Sequence, residues 1–138
     1  MKRYILIILL VSFFSLSGCD DVLDCIVNVR PELHDKDLSV GLVDEYYSDF
    51  ISAEIKNEVN DNAYDYYFDV SGRLPEGIEV FYNRHREVLF KGVPKESGRF
   101  AIRVFLEVVP HYDPYEDDRV NGPLCTDETS RTYTLYID

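Results

Sequence analysis

The stretch "RFAIRVFLEVV", residues 99–109, decides how this chain folds. Phe100, Ile102, Val104, Leu106 and Val108 recur with period two, against Arg103 and Glu107 on the alternate positions. Such alternation marks a strand with one dry face and one wet face, the habit of antiparallel sheets. Outward from it the pattern repeats. "RTYTLYID" (131–138) alternates to its last residue, while "IEVFYN" (78–83) and "EVLFKG" (87–92) flank the polar "RHR". "YDYYFDV" (64–70) sets Tyr64, Tyr66, Phe68 and Val70 on one face and Asp65 and Asp69 opposite. In "FISAEIKN" (50–57), Ile51, Ala53 and Ile55 share a face, and "NEVNDN" then turns. "CIVNVRP" (25–31) alternates and is expected to stop at Pro31. About seven short strands separated by turns predict an all-β fold, an antiparallel β-sandwich.

Two stretches resist this reading. "ELHDKDLSVGLVDEYYSD" (32–49) accommodates either a short strand over 38–43 or a helical turn over 44–48. "PHYDPYEDDRVNGPL" (110–124) is a long loop between the last two strands, and long loops on a rigid scaffold are where function concentrates.

The 138 residues allow one packed domain behind a short targeting segment, and no second core. Asp and Glu number 26 against 14 Lys and Arg. The field of such a chain repels nucleic acid and favours basic partners or divalent cations, so DNA and RNA binding is excluded. Eleven Tyr and eight Phe suit strands and argue for packing rather than disorder.

Between the third and sixth strand patterns the spacing becomes distinctive. Gly72, Leu74, Pro75, Gly77 and Ile78 are followed by Leu89, Gly92, Pro94 and Gly98, and then by the long strand from Phe100. Upstream, Val40-Gly41, Tyr47, Ile51, Ala53 and Tyr64 fall where opening strands belong. Over roughly residues 38–109 the chain resembles the immunoglobulin-like, cadherin-like domains of bacterial surface proteins. The resemblance implies an immunoglobulin-like sandwich and carries no activity with it. The hairpin "FYNRHREV" is longer than that family's usual one, and Phe90 and Lys91 precede Gly92. Pro75 presets φ for a turn, and Gly77 and Gly98 suit bends with positive φ.

The N-terminus carries a second pattern. Lys2 and Arg3 precede the apolar run "YILIILLVSFF" (4–14), eleven residues against the ~20 needed to span a bilayer. "LSGC" (16–19) resembles the lipobox of bacterial lipoproteins: an aliphatic residue, two small ones and Cys. The resemblance implies a signal peptide over 1–18, lipidation of Cys19, an acidic tether over 19–24 and the domain over 25–138. Acyl chains on Cys19 hold the protein stably to a membrane. In enteric-type lipoproteins an Asp after the lipidated Cys opposes export to the outer membrane. Asp20 is therefore the expected sorting residue, and the address is the periplasmic face of the inner membrane. Loss of Lys2 and Arg3 leaves 12 cations against 26 anions, a formal charge of −14.

With Cys19 lipidated, Cys25 and Cys125 remain of the three cysteines. An oxidising compartment favours bridging them, and closing so long a loop stabilises by up to ~4–5 kcal/mol in the chain-entropy model. Two buried thiols are the alternative, and neither Cys has ligand spacing for metal.

Catalytic patterns are missing. His34, His85 and His111 lie on separate loops, no Gly-x-Ser-x-Gly or Gly-rich phosphate loop occurs, and the carboxylates single out no pair. No cofactor is expected. Calcium is the weaker alternative, because "YDPYEDD" and "NDN" offer hard oxygens without any recognised loop spacing. Tyr112 and Tyr115 flank Asp113, with Glu116, Asp117 and Asp118 following: rigid rings and clustered acids suited to a basic protein partner. The expectation is a lipid-anchored, non-catalytic envelope or accessory lipoprotein. The alternatives are an immunity-type lipoprotein against a cationic periplasmic toxin, and a calcium- or glycan-binding module.

Overall fold

In the computed structural model, residues 29–83, 86–111 and 124–138 are described. They form β1 (Arg30–Leu33), β2 (Tyr47–Lys56), a 3-10 turn (Asp61–Ala63), β3 (Tyr64–Gly72), β4 (Ile78–Asn83), β5 (Glu87–Gly92), β6 (Gly98–Pro110) and β7 (Glu128–Ile137). Two sheets result, with orders β1-β2-β5-β4 and β3-β6-β7, every neighbouring pair antiparallel. Four strands against three in this order is the arrangement of an immunoglobulin constant-type sandwich.

The alternation of β6 holds over its length: Phe100, Ile102, Val104, Leu106 and Val108 are all buried. They pack with Ile51, Ala53 and Ile55 of β2, Val88 and Phe90 of β5, and Tyr133, Leu135 and Ile137 of β7. Fully burying such side chains contributes about 1.5–3 kcal/mol each. Tyr64 of β3 is buried with them, while Tyr66, Phe68 and Val70 lie on the rim of the core, half-covered. Asp65 and Asp69 face water as their alternation predicts. β4 and β5 begin and end where the sequence patterns do.

Three local expectations are corrected. The first strand does not stop at Pro31, which pairs with Ile55 inside β1. The His34 amide donates to Ser52 O at 3.0 Å, so even-numbered positions of β1 bond to β2. Pro31, at an odd position on an edge strand, needs no N–H there. Over 44–48 there is no helix: Asp44 turns with φ +63°, and Tyr47 already begins β2. β7 starts at Glu128, three residues before the alternation of 131–138.

Over 38–43 the only pairing is a single parallel bridge, Gly41 to Ile137. The Gly41 amide donates to Tyr136 O at 2.9 Å, and the Val43 amide to Asp138 O at 2.9 Å. After β1 the chain thus leaves its own sheet and covers the end of β7's edge. A Cβ on Gly41 would lie 2.6 Å from Ile137 Cδ1 and 2.9 Å from the Tyr47 ring, so a larger residue at the crossing would require those side chains to shift.

Among the described residues, one carboxylate enters the interior. Asp49 is 8% exposed and directed inward from β2. It pairs with the Lys36 ammonium and accepts the amides of Ser39 and Phe50 and the Ser39 hydroxyl. Burial pushes its carboxyl up, but these four donors outweigh burial and hold it below the usual range.

Candidate functional site

One pole of the sandwich gathers the β2–β3 connection, Arg86 between β4 and β5, and the roots of the β6–β7 loop. Local hydrogen bonds build it. Glu58 Oε1 accepts the Val59 and Asn60 amides at 2.8 and 3.0 Å, and its Oε2 accepts the Tyr64 hydroxyl at 3.4 Å. Asp61 Oδ1 accepts the Ile55 amide at 3.2 Å, and Oδ2 pairs with the Arg86 guanidinium. The Tyr66 hydroxyl donates to Asp61 O at 3.2 Å, and the Arg86 guanidinium lies 5.8 Å over the Tyr66 ring. His111 Nε2 sits 2.9 Å from Asp65 Oδ1. Asp61, Tyr64, Asp65, Tyr66, Arg86 and His111 line a shallow depression of about 480 Å³.

Its electrostatics suit structure better than acid–base work. Burial, with Glu58 adding, pushes Tyr64 up to about 12. Burial also raises Tyr66, with Arg86 opposing. Both phenols stay protonated at neutral pH and act as donors. Asp61 is occupied by Arg86, which leaves the "NDN" fragment short of the ligands calcium takes. Among the described residues, no group of three His, Cys, Asp or Glu is arranged to hold a metal ion.

The β6–β7 loop is rooted at this pole, because Pro110 pairs with Tyr64 and the Cys125 amide donates to Val29 O at 3.0 Å. Tyr112, Asp113, Tyr115, Glu116, Asp117 and Asp118 lie outside the described residues, as do Cys19, Asp20 and Cys25. Cys125 is described, half-buried beside Val29. His34 sits on the surface with Nε2 3.1 Å from Glu54 and Nδ1 2.8 Å from Ser52 Oγ. His85 lies outside the described residues.

The outer face of β3-β6-β7 carries a feature that reasoning from the sequence passed over. Tyr67 is 56% exposed, Phe105 37% and Val109 43%. The register sets Tyr67 beside Glu107, Asp69 beside Phe105, and Asp65 beside Val109, with Glu128 beyond Glu107. Apolar surface is thus interleaved with four carboxylates. Arg103 lies 4.9 Å over the Phe105 ring and donates to Ser130 Oγ at 2.8 Å, so this cation is held within the face. A groove of about 540 Å³ runs between Tyr67, Asp69, Phe105, Glu107 and Glu128. The signal was present at Phe105, an aromatic ring on the polar side of β6's alternation.

No protein-family model and no curated protein sequence matches the chain. Among solved structures it is similar to an endo-fucoidan hydrolase from glycoside hydrolase family 107, at 13% identity over 78% of this chain and 13% of that one, TM-score 0.49. A candidate alpha-galactosidase of Bacteroides fragilis NCTC 9343 is similar at 11% identity, over 79% of this chain and 18% of that one, TM-score 0.48. The titin M3 domain is similar at 11% identity, over 80% of this chain and 99% of that one, TM-score 0.44. The chain spans less than a fifth of the length of either glycosidase. By its strand order and its single buried core, the chain carries an immunoglobulin-like antiparallel β-sandwich.

Proposed function

We propose that this is a lipid-anchored periplasmic protein that recognises another, basic protein without catalysing a reaction, in the manner of an envelope-complex or accessory lipoprotein. The observation that supports the reading is the outer face of β3-β6-β7, where Tyr67, Phe105 and Val109 stand exposed among Asp65, Asp69, Glu107 and Glu128. Exposed aromatic and aliphatic surface supplies contact area, and acids around it steer a cationic partner. Tyr112, Asp113, Tyr115, Glu116, Asp117 and Asp118, in the sequence between β6 and β7, are the further partner-binding residues of this reading.

In this reading Cys19 is the lipidated residue and Asp20 keeps the protein at the inner membrane. Cys25 and Cys125 form a disulfide. Cys125 is bonded to Val29 through its amide, and Cys25 precedes Val29 by four residues, at most ~14 Å of extended chain. That leaves a Cα separation of ~5.5 Å, the usual one for a disulfide, within reach. An immunity-type role against a cationic toxin is the same recognition with a different partner, and the formal charge of −12 favours it equally.

The test is capture by the full chain in detergent from envelope and secreted extracts, at low and moderate salt. One stoichiometric basic protein, released by salt or by sign reversal of Asp113, Glu116, Asp117 and Asp118, supports the reading. Partner binding unchanged by that reversal removes the loop from it, and no capture at either salt removes the protein-binding role.

A further inference from the structure

β3 is an open sheet edge of nine residues among the described residues; β7, at ten residues, ends the same sheet, but its last residues bond to the segment around Gly41. β3 has β6 on one side and no described strand on the other. β1 also lies on an edge but spans four residues and contains Pro31; β4 spans six. β3 spans nine.

The register shows which of its backbone groups are unpaired. The Val108 amide donates to Asp127 O at 2.8 Å, on β7's side, and the His111 amide to Ala63 O at 2.7 Å, on β3's side. In an antiparallel ladder the side alternates with each residue. Val109, Glu107 and Phe105 therefore bond to Asp65, Tyr67 and Asp69. Tyr66, Phe68 and Val70 are left with N–H and C=O directed away from β6.

Side chains along this edge are as ordered as the backbone. Asp65, Tyr67 and Asp69 stand on the outer face, and half-buried Tyr66, Phe68 and Val70 on the inner one. A strand added here would have one row of side chains ~4.5–5.5 Å from two carboxylates with a tyrosine between them. Its other row would cover the exposed flank of the core. Basic residues suit the first row and apolar residues the second. A second copy of this chain fails the first requirement: it would bring the carboxylates of Asp65 and Asp69 against those of its partner, in a protein of net charge −12.

We infer that the β3 edge receives an extended segment of a partner protein in which basic and apolar residues alternate. The segment is held by main-chain hydrogen bonds to Tyr66, Phe68 and Val70 and selected by Asp65 and Asp69. The inference takes its partner class from the proposed protein-binding role but needs neither the anchor nor residues 112–118. The competing account is that the two aspartates only keep the edge from aggregating.

The experiment titrates the full chain in detergent with a blocked nine-residue peptide of alternating Lys and Val, following residue-resolved amide exchange. An alternating Glu–Val peptide is the control. The Lys–Val peptide is expected to slow exchange at Tyr66, Phe68 and Val70 by about tenfold or more, the Glu–Val peptide to have no effect, and salt to weaken the binding. Val70→Pro removes one outward N–H without touching the ladder to β6, a substitution an edge strand tolerates, and should weaken the peptide by at least about tenfold. If that variant does not fold, the double variant D65K/D69K, whose changes are exposed, carries the test with the same expected loss. No binding at millimolar peptide, protection on β4 or elsewhere, or undiminished binding by D65K/D69K each overturns the inference. Failure here leaves the loop-dependent capture standing, so the two readings fail separately.

Discussion

Gly77 and Gly92 face each other so closely that neither has room for a side chain. A Cβ on Gly92 would lie 1.9 Å from Gly77 O, and one on Gly77 would lie 2.1 Å from Val93 O. The Val93 amide donates to Gly77 O at 3.1 Å, which joins the turn before β4 to the end of β5. Both residues also have positive φ, +90° and +148°.

Gly92→Ala should therefore cost about 2–4 kcal/mol, read as a fall in the urea midpoint with unchanged slope. Gly98→Ala separates the causes. Gly98 shares φ +148°, but a Cβ there meets nothing nearer than the Phe100 ring at 3.4 Å. It should cost only the backbone share, about 1–2 kcal/mol. Equal costs at the two positions would show that the close approach to Gly77 is unimportant.

Phe90 is fully buried in β5, and Phe81, which pairs with the adjacent Leu89 across the β4 ladder, is 47% exposed on the outer face. Phe90→Ala should cost about 3–5 kcal/mol through lost contacts and the cavity left behind. Phe81→Ala should stay within about 0.5 kcal/mol. A large loss at Phe81 would mean that this face is covered in the protein as it exists.

Much of this fold was legible because burial and alternation agree wherever a strand has neighbours on both sides. β5 and β6 are such cases, with Pro94 and Gly98 marking the turn between them. The start of β2 was not legible. Asp49 occupies an inward position, and three of the four donors that make a charge acceptable there come from Lys36 and Ser39, ten or more residues earlier. Pro31 misled for a related reason: a proline ends a strand only where its N–H would be needed, and edge position is a property of the sheet. The crossing at Gly41 depends on the other sheet entirely. The exposed face of Tyr67 and Phe105 is spread over two strands far apart in sequence, so no local window displays it.

Asp49 makes stability depend on pH at the acid end. Its folded-state pKa is depressed, so its contribution is complete above the ordinary carboxylate value and is lost as pH falls through the folded one. Asp49→Asn should cost about 1–3 kcal/mol at pH 7 by leaving Lys36 and the Ser39 donors without their charged acceptor. It should also flatten the stability profile below pH ~4 relative to the parent protein. An unchanged acid limb in the variant would assign the acid sensitivity to other carboxylates.

At the alkaline end, Tyr64 and Tyr133 make stability depend on pH. Burial pushes each up to about 12, Glu58 adding at Tyr64 and Arg131 opposing at Tyr133, whose hydroxyl donates to His34 O at 2.8 Å. A folded pKa above the unfolded one favours the protonated form in the fold. The stabilisation is therefore complete below pH ~10 and is lost as pH rises from there toward 12. Phenolate absorbance should show a late step that coincides with loss of structure. Tyr133→Phe should remove part of that late step and cost about 0.5–1.5 kcal/mol, the worth of one hydrogen bond between the last strand and the segment after β1. A titration in which all tyrosines ionise together near pH ~10, with the fold intact, would show that neither hydroxyl is held as the structure has it.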